Sequence, residues 1–171
     1  MPIDNDKLLK IKQYIEANYI PGLKENVRCK KAPGICSSEA YGLYEDLPNL
    51  ERRVRDNLDD TWQTALFSII DHKVLDAVEV YKRACLTKQT FSKIRNDAEY
   101  HPDKDTAVRL CIGLKLNLDE SLDLLSKAGY TLSKSIERDL VVMYFIENKE
   151  YDIIAIDLAF EEFGLKQFLK Y

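Results

Sequence analysis

The chain lacks long apolar runs, paired cysteines and glycine-rich tracts. No stretch approaches the roughly 18 apolar residues that a membrane helix needs, and the N-terminus has no apolar core of a signal peptide. With six glycines and five prolines in 171 residues, no low-complexity tract is present. These absences predict a cytoplasmic protein without a membrane partner.

Signatures of chemistry are also missing. The four cysteines form no CxxC pair and, with two histidines, give no zinc-binding spacing. No glycine-rich loop follows a strand to hold a phosphate. A nucleophile at Cys36 with His72 or His101 as its base has no local signature. We therefore expect reduced thiols, no catalytic residue, no metal and no cofactor, and we expect that the protein is not an enzyme.

What the chain does contain suits a globular domain with a real core, since 46% of its residues are apolar and 32% are charged. The net charge of −4 argues against non-specific coating of nucleic acid. Proteins that bind DNA usually present a basic domain or face. Any basic surface here must therefore be local.

Apolar residues recur at helical spacing through most of the sequence, and no strand alternation of useful length is found. Helices are predicted over 4–19, 61–73, 76–85, 88–97, 104–116, 118–128, 134–148 and 153–163. The predicted N-caps are Asp76 (in a capping box with Glu79), Thr87, Asp103, Asn117 and Asp152, and Gly129 is the predicted left-handed helix end. A weaker helix is predicted over 48–58 and a loop over 23–47. The fold class is all-α, with an N-terminal helix and linker over 1–60, a central domain over 61–130 and a helix pair over 131–171.

Two short helices joined by a tight turn, over 75–97, carry the clearest functional signal. Residues 82–95 contain five basic side chains and no acidic one. The candidate nucleic-acid-binding residues are Lys82, Arg83, Thr87, Lys88, Gln89, Thr90, Ser92, Lys93 and Arg95. Lysine and arginine can pair with guanine edges and glutamine with adenine, while threonine hydroxyls can hold phosphates. The alternative interpretation is an ordinary solvated helix face.

The order of the segments LDAVEVYKRACL, TKQTFSKIRND, DKDTAVRLCIGLKL and LNLDESLDLLSKAG resembles the XRE family of helix-turn-helix proteins, the Cro and lambda-repressor type. The resemblance implies a five-helix lambda-repressor-like domain, double-stranded DNA as partner and a role in transcription regulation. The family usually has a small residue where Tyr81 stands, because two helices approach closely there. It often has glycine where Cys85 stands and glutamine where Ala77 stands. The segments VEVYKRA and FSKIR, followed by MYFIENKEYDI, give a looser resemblance over most of 61–171 to uncharacterised stand-alone helix-turn-helix proteins of Gram-positive bacteria and their mobile elements.

Aromatic residues crowd the last part of the chain, and they leave two interpretations open. They are Tyr144, Phe145, Tyr151, Phe160, Phe163, Phe168 and Tyr171. Either the final helices pack back on the domain, or they form a homodimer or partner surface. Because residues 133–171 hold eight acidic and five basic side chains, this region is a poor surface for nucleic acid. The alternative function is a protein-interaction module, such as an antitoxin-like, phage-defence or anti-defence factor, that binds a protein partner through an acidic surface. Whether the nucleic acid is DNA or RNA also stays open.

Overall fold

Helices account for the regular structure of the protein, seen in a computed structural model that describes residues 4–20, 52 and 60–169. Within these residues there are eight helices and no strand, which confirms the all-α prediction. The helices are α1 (Asn5–Asn18), α2 (Trp62–His72), α3 (Ala77–Arg83), α4 (Lys88–Asn96), α5 (Lys104–Gly113), α6 (Leu118–Lys127), α7 (Glu137–Glu147) and α8 (Ile153–Glu162). Each lies inside the range that the sequence predicts. None of the described helices is long and apolar enough to cross a membrane.

The chain divides into two compact units, one formed by Met1–Pro21 with Thr61–Tyr171 and the other by Gly22–Asp60. In the first unit, α1 packs against α7, where the rings of Tyr14 and Tyr144 meet edge to face with their centroids 5.4 Å apart. The N-terminal helix therefore shares a core with the C-terminal helices. The predicted loop at 23–47 and nearly all of the predicted helix at 48–58 lie outside the described residues.

Polar side chains begin six of the helices by accepting a backbone N–H in the first turn. These caps are Thr61, Asp76, Thr87, Asp103, Asn117 and Asp152. The five that the sequence predicts are confirmed, but the capping box at Asp76 is wrong, because Glu79 forms a salt bridge with Arg83 instead. The reciprocal box forms at Asn117 and Glu120, with both hydrogen bonds 2.9 Å long.

Six helices end on a residue in the left-handed conformation. These residues are Val74, Cys85, Lys115, Gly129, Lys149 and Gly164, with φ between 50° and 71°. After each, a backbone N–H reaches back to a carbonyl five residues earlier, for example from Leu86 to Tyr81 at 2.8 Å. Three connections share one form, a left-handed residue followed by a leucine and a cap: Val74-Leu75-Asp76, Cys85-Leu86-Thr87 and Lys115-Leu116-Asn117. The repeated form turns α2 into α3, α3 into α4, and α5 into α6.

The C-terminal aromatic residues fill the core of this unit. Phe145 and Phe160 have 0% of their surface exposed and Phe168 has 8%. The carboxylate of Asp157, itself buried, accepts the backbone N–H groups of Phe168 and the next residue at 2.7 and 2.9 Å. The described tail therefore packs back on the helices, and Tyr171 lies outside the described residues. A homodimer through these helices remains a prediction that the buried aromatic rings do not support.

Candidate nucleic-acid interface

Helix α4 has an apolar side and a polar side. Phe91 and Ile94, which are 4% and 0% exposed, face the core. Five of the predicted contact residues lie on the exposed side: Lys88, Gln89, Ser92, Lys93 and Arg95. Asn96 joins them, since its amide donates to the Ser92 hydroxyl at 3.1 Å. We call these six residues the basic face of α4.

The other four predicted residues border the basic face. Lys82 and Arg83 lie in the last turn of α3, and Thr87 and Thr90 lie at the start of α4. The Thr87 hydroxyl accepts the backbone N–H of Thr90 at 3.1 Å, and the two hydroxyl oxygens are 2.9 Å apart. Because one hydroxyl proton suffices for the contact between them, the other remains for a phosphate oxygen.

Helix α2 holds the far end of α4 in place. The Gln63 side chain donates to the backbone carbonyls of Ile94 and Arg95 at 2.6 and 3.0 Å. These carbonyls belong to the last turn of α4 and have no hydrogen-bond donor within the helix. One turn along α2, the ring of Phe67 meets that of Phe91 edge to face, with centroids 6.0 Å apart. The C-terminal half of α4 is thus fixed by a polar contact and an aromatic contact from one helix.

The turn between α3 and α4 is held by α5. Arg109 donates from Nε to the Ala84 carbonyl at 2.9 Å and from Nη2 to the Cys85 carbonyl. Burial lowers the pKa of Arg109, but an arginine remains charged at neutral pH. A half-buried cation therefore caps the negative end of the α3 dipole.

The close approach of α3 and α5 occurs at Gly113. A Cβ atom on Gly113 would lie 2.9 Å from the Val80 carbonyl oxygen and 3.0 Å from the Ala84 Cβ. Tyr81 lines a groove between α3 and α4, where its ring lies 5.8 Å from that of Phe91.

The charges near the turn are not all equally available. Arg83 forms a salt bridge with Glu79 one turn earlier in α3, which reduces the local charge counted from residues 82–95. Arg95 lies over two aromatic rings but is exposed and has no ion pair within the described residues. Lys82, Lys88 and Lys93 are exposed too, and none of them forms an ion pair with a described residue. Four of the five cations therefore have no ion-pair partner in the part of the chain that the structure describes.

The groove between α3 and α4 opens beside the basic face and has a volume of about 340 Å³. Its apolar lining consists of Ala77, Val78, Tyr81 and Phe91, and its polar lining of Lys88, Ser92, Arg95 and Asn96. Val78 is 41% exposed, although it is apolar. Among the described residues, no acidic side chain lines the groove.

The described cysteines and histidines form no reactive cluster. Burial raises the pKa of Cys111 to about 12 and that of Cys85 above its usual value, so both thiols are protonated at neutral pH. His101 packs edge to face on Tyr130, with centroids 5.7 Å apart. In the described part of the chain, no group of three or more His, Cys, Asp or Glu side chains is placed to hold a metal. Cys36 lies outside the described residues.

Three residues of this region are not among those predicted from the sequence: Asn96 on the basic face, and Gln63 and Arg109, which position α4. Asn96 could have been found, because it follows Ser92 and Lys88 at helical spacing. Gln63 and Arg109 act on backbone carbonyls 31 and 25 residues away in sequence. No local pattern marks contacts of that kind.

Comparisons of the chain with protein-family models, with curated proteins and with solved structures find no match.

Proposed function

We propose that the protein binds double-stranded DNA through α4 and regulates transcription. In this proposal α2–α6 form a five-helix domain of the lambda-repressor type, and α4 is the helix that enters the major groove. The observation that carries the proposal is the basic face of α4, whose lysines are exposed and unpaired within the described residues while Phe91 and Ile94 fix the helix from below.

The side chains on this face divide between reading bases and holding phosphates. Lys88, Gln89 and Lys93 project from the first two turns of α4, the part of such a helix that meets base edges. Glutamine pairs with adenine, and lysine with the O6 and N7 atoms of guanine. Lys82 and the Thr87 hydroxyl lie beside the turn, where they suit phosphate oxygens.

The acidic balance of the whole chain fits specific rather than general binding. With a net charge of −4, the chain as a whole repels a phosphate backbone, so approach through the basic face is favoured. Each phosphate that a cation neutralises adds about −0.9 to the slope of the logarithm of affinity against the logarithm of salt. A slope of about −1 is therefore expected if Lys82 alone neutralises one phosphate, and of about −3 if Lys88 and Lys93 neutralise phosphates as well as reading bases.

Selection of bound fragments from random duplex DNA, followed by affinity measurement at two salt concentrations, tests the proposal. Replacing both Lys88 and Lys93 with Glu is expected to weaken duplex binding at least about 100-fold without lowering the melting temperature. The matched control replaces Lys12 and Lys134, two exposed lysines outside α4, with Glu. No duplex affinity at low salt, or equal losses for the two double variants, would refute the proposal.

The second candidate is a protein-interaction module that binds a basic partner through an acidic surface. The observation in its favour is that Asp119 and Glu162 are exposed and form no ion pair within the described residues. Under this function, affinity purification recovers a stoichiometric protein partner that survives nuclease treatment. Replacing Asp119 and Glu162 with Lys then releases the partner, whereas the double lysine variant of α4 retains it.

A further inference from the structure

We infer that the groove between α3 and α4 is a docking site for an acidic amphipathic helix of a protein partner. We further infer that this partner and duplex DNA exclude one another. The docking site stands on the geometry of the groove alone, and the exclusion rests on the proposed function.

The floor of the groove is apolar and open to solvent. Tyr81 and Phe91 line it with aromatic rings 5.8 Å apart, and Val78 adds an apolar side chain that is 41% exposed. Tyr81 is partly exposed and Phe91 lies beneath it with 4% of its surface exposed. A hydrophobic groove is the feature that receives the apolar face of a helix in helix-in-groove recognition. Duplex DNA offers few apolar groups for such a floor, chiefly the thymine methyl.

The charges at the rim select an acidic partner. Lys88 and Arg95 line the groove and are seven residues apart on α4, so they lie about 10 Å apart along its axis. Ser92 and Asn96 supply polar groups between and beyond them, and none of the described residues that line the groove is acidic. A partner helix with carboxylates two turns apart on either side of an apolar residue therefore complements both the floor and the rim.

The docking site shares residues with the basic face. The shared residues are Lys88, Ser92, Arg95 and Asn96. A helix seated in the groove would cover them and bring its own negative charge against α4. Phosphates and the partner helix therefore compete for the same cations, so an acidic helix acts as an antagonist of duplex binding.

Selection from a displayed library of random 16-residue peptides against the full chain tests the docking site. The enriched peptides are expected to be acidic, with apolar residues at helical spacing. Val78→Glu is expected to weaken the best peptide at least about tenfold, because it places a carboxylate on the groove floor. The matched control is Val74→Glu, the same change at a valine that is 88% exposed and does not line the groove. Enrichment of neutral or basic peptides, or equal binding to the two variants, would overturn the docking site.

Competition between the best peptide and a fluorescent duplex on the unmodified chain tests the exclusion. The peptide is expected to release the duplex at concentrations near its own dissociation constant. Simultaneous binding of both would overturn the exclusion and leave the docking site standing. A chain that binds the acidic peptide at Val78 but binds no duplex would refute the proposed function instead, so the two failures are distinguishable.

Discussion

Two arginines in this protein stack on pairs of phenylalanine rings, and they do so in opposite settings. On α4, Arg95 lies over Phe67 and Phe91, 5.6 and 5.7 Å from the ring centroids. Its guanidinium is exposed and has no ion pair within the described residues. The stack holds the side chain against α2 and α4 while its charge remains available.

On α7, the contacts of the other arginine all lie within the folded structure. Arg138 lies 4.8 and 4.6 Å from the ring centroids of Phe160 and Phe168, and only 19% of its side chain is exposed. It also donates to the Asp105 carboxylate at 2.6 Å and to the Lys166 carbonyl at 2.7 Å. An arginine over two phenylalanine rings therefore fixes the tail in one region and, at about 1 Å greater distance, presents a cation in the other.

The largest difference between the two regions is expected from removing one ring of each stack. Phe160→Ala removes a ring with no exposed surface and should lower the free energy of unfolding by about 3–5 kcal/mol. Phe67→Ala removes a half-buried ring from α2 and should cost about 1–2 kcal/mol. Urea denaturation followed by circular dichroism measures both. Equal losses would show that the two stacks do not differ in the way described.

Removing the arginines separates stability from binding. Arg138→Ala should lower the free energy of unfolding by about 2–3 kcal/mol, because it leaves the Asp105 carboxylate with only Lys166, at 3.7 Å. Arg95→Ala should cost about 0.5–1 kcal/mol, the usual contribution of an exposed cation–π contact. Duplex affinity should show the reverse order, falling several-fold for Arg95→Ala and staying constant for Arg138→Ala. Thermal melts on both variants measure the loss of stability, which should be larger for Arg138→Ala. Fluorescence anisotropy measures the loss of duplex affinity, which should be larger for Arg95→Ala.

A substitution in the turn that leads into α4 should have a smaller effect and should raise the free energy of unfolding. Cys85 has a φ of 51°, which disfavours a residue with a Cβ atom. Cys85→Gly should therefore raise the free energy of unfolding by about 0.5–1 kcal/mol. Lys115→Gly, in the turn of the same form after α5, is the parallel case. A lower melting temperature for both variants would mean that left-handed strain does not limit these turns.

The smallest effect is expected at an exposed ion pair. The backbone N–H of Asn117 and the Lys73 ammonium lower the pKa of Glu120 from its usual value of 4.5. A carboxylate with a lowered folded-state pKa stabilises the fold above its ordinary pKa, and this contribution is lost as the pH falls through the folded-state value. Because Glu120 is well exposed, the contribution should be below about 1 kcal/mol after screening. Glu120→Gln should remove this part of the stability difference between pH 7 and pH 3, as measured by urea denaturation at both values.

Local signals in the sequence were enough to place the helices. Apolar spacing and the caps at Thr87, Asp103, Asn117 and Asp152 lie within a few residues of the boundaries that they determine. The local charge was overestimated because only residues 82–95 were considered. Arg83 was counted as free because its partner, Glu79, lies just before the charged run, although their i, i+4 spacing favours a pair.

Features that depend on long-range packing could not be predicted from the sequence. The aromatic tail could be interpreted as core or as surface, and only the packing of Phe145 and Phe160 separates the two. The contacts of Gln63 and Arg109 with distant backbone carbonyls have no signature in composition or periodicity. Left-handed helix ends at non-glycine residues, such as Cys85, were missed because glycine is the usual marker for them.

The lack of a side chain at Gly113 affects the basic face of α4, although Gly113 is not part of that face. A methyl group in its place would press on the backbone carbonyl of Val80, which cannot rotate away as a side chain can. The strain would lift α3 from α5 and loosen the grip of Arg109 on the turn. Since only a short turn separates α3 from α4, the displacement would pass on to Lys88. The absence of a side chain at position 113 therefore allows α3, and the turn that follows it, to lie close to α5.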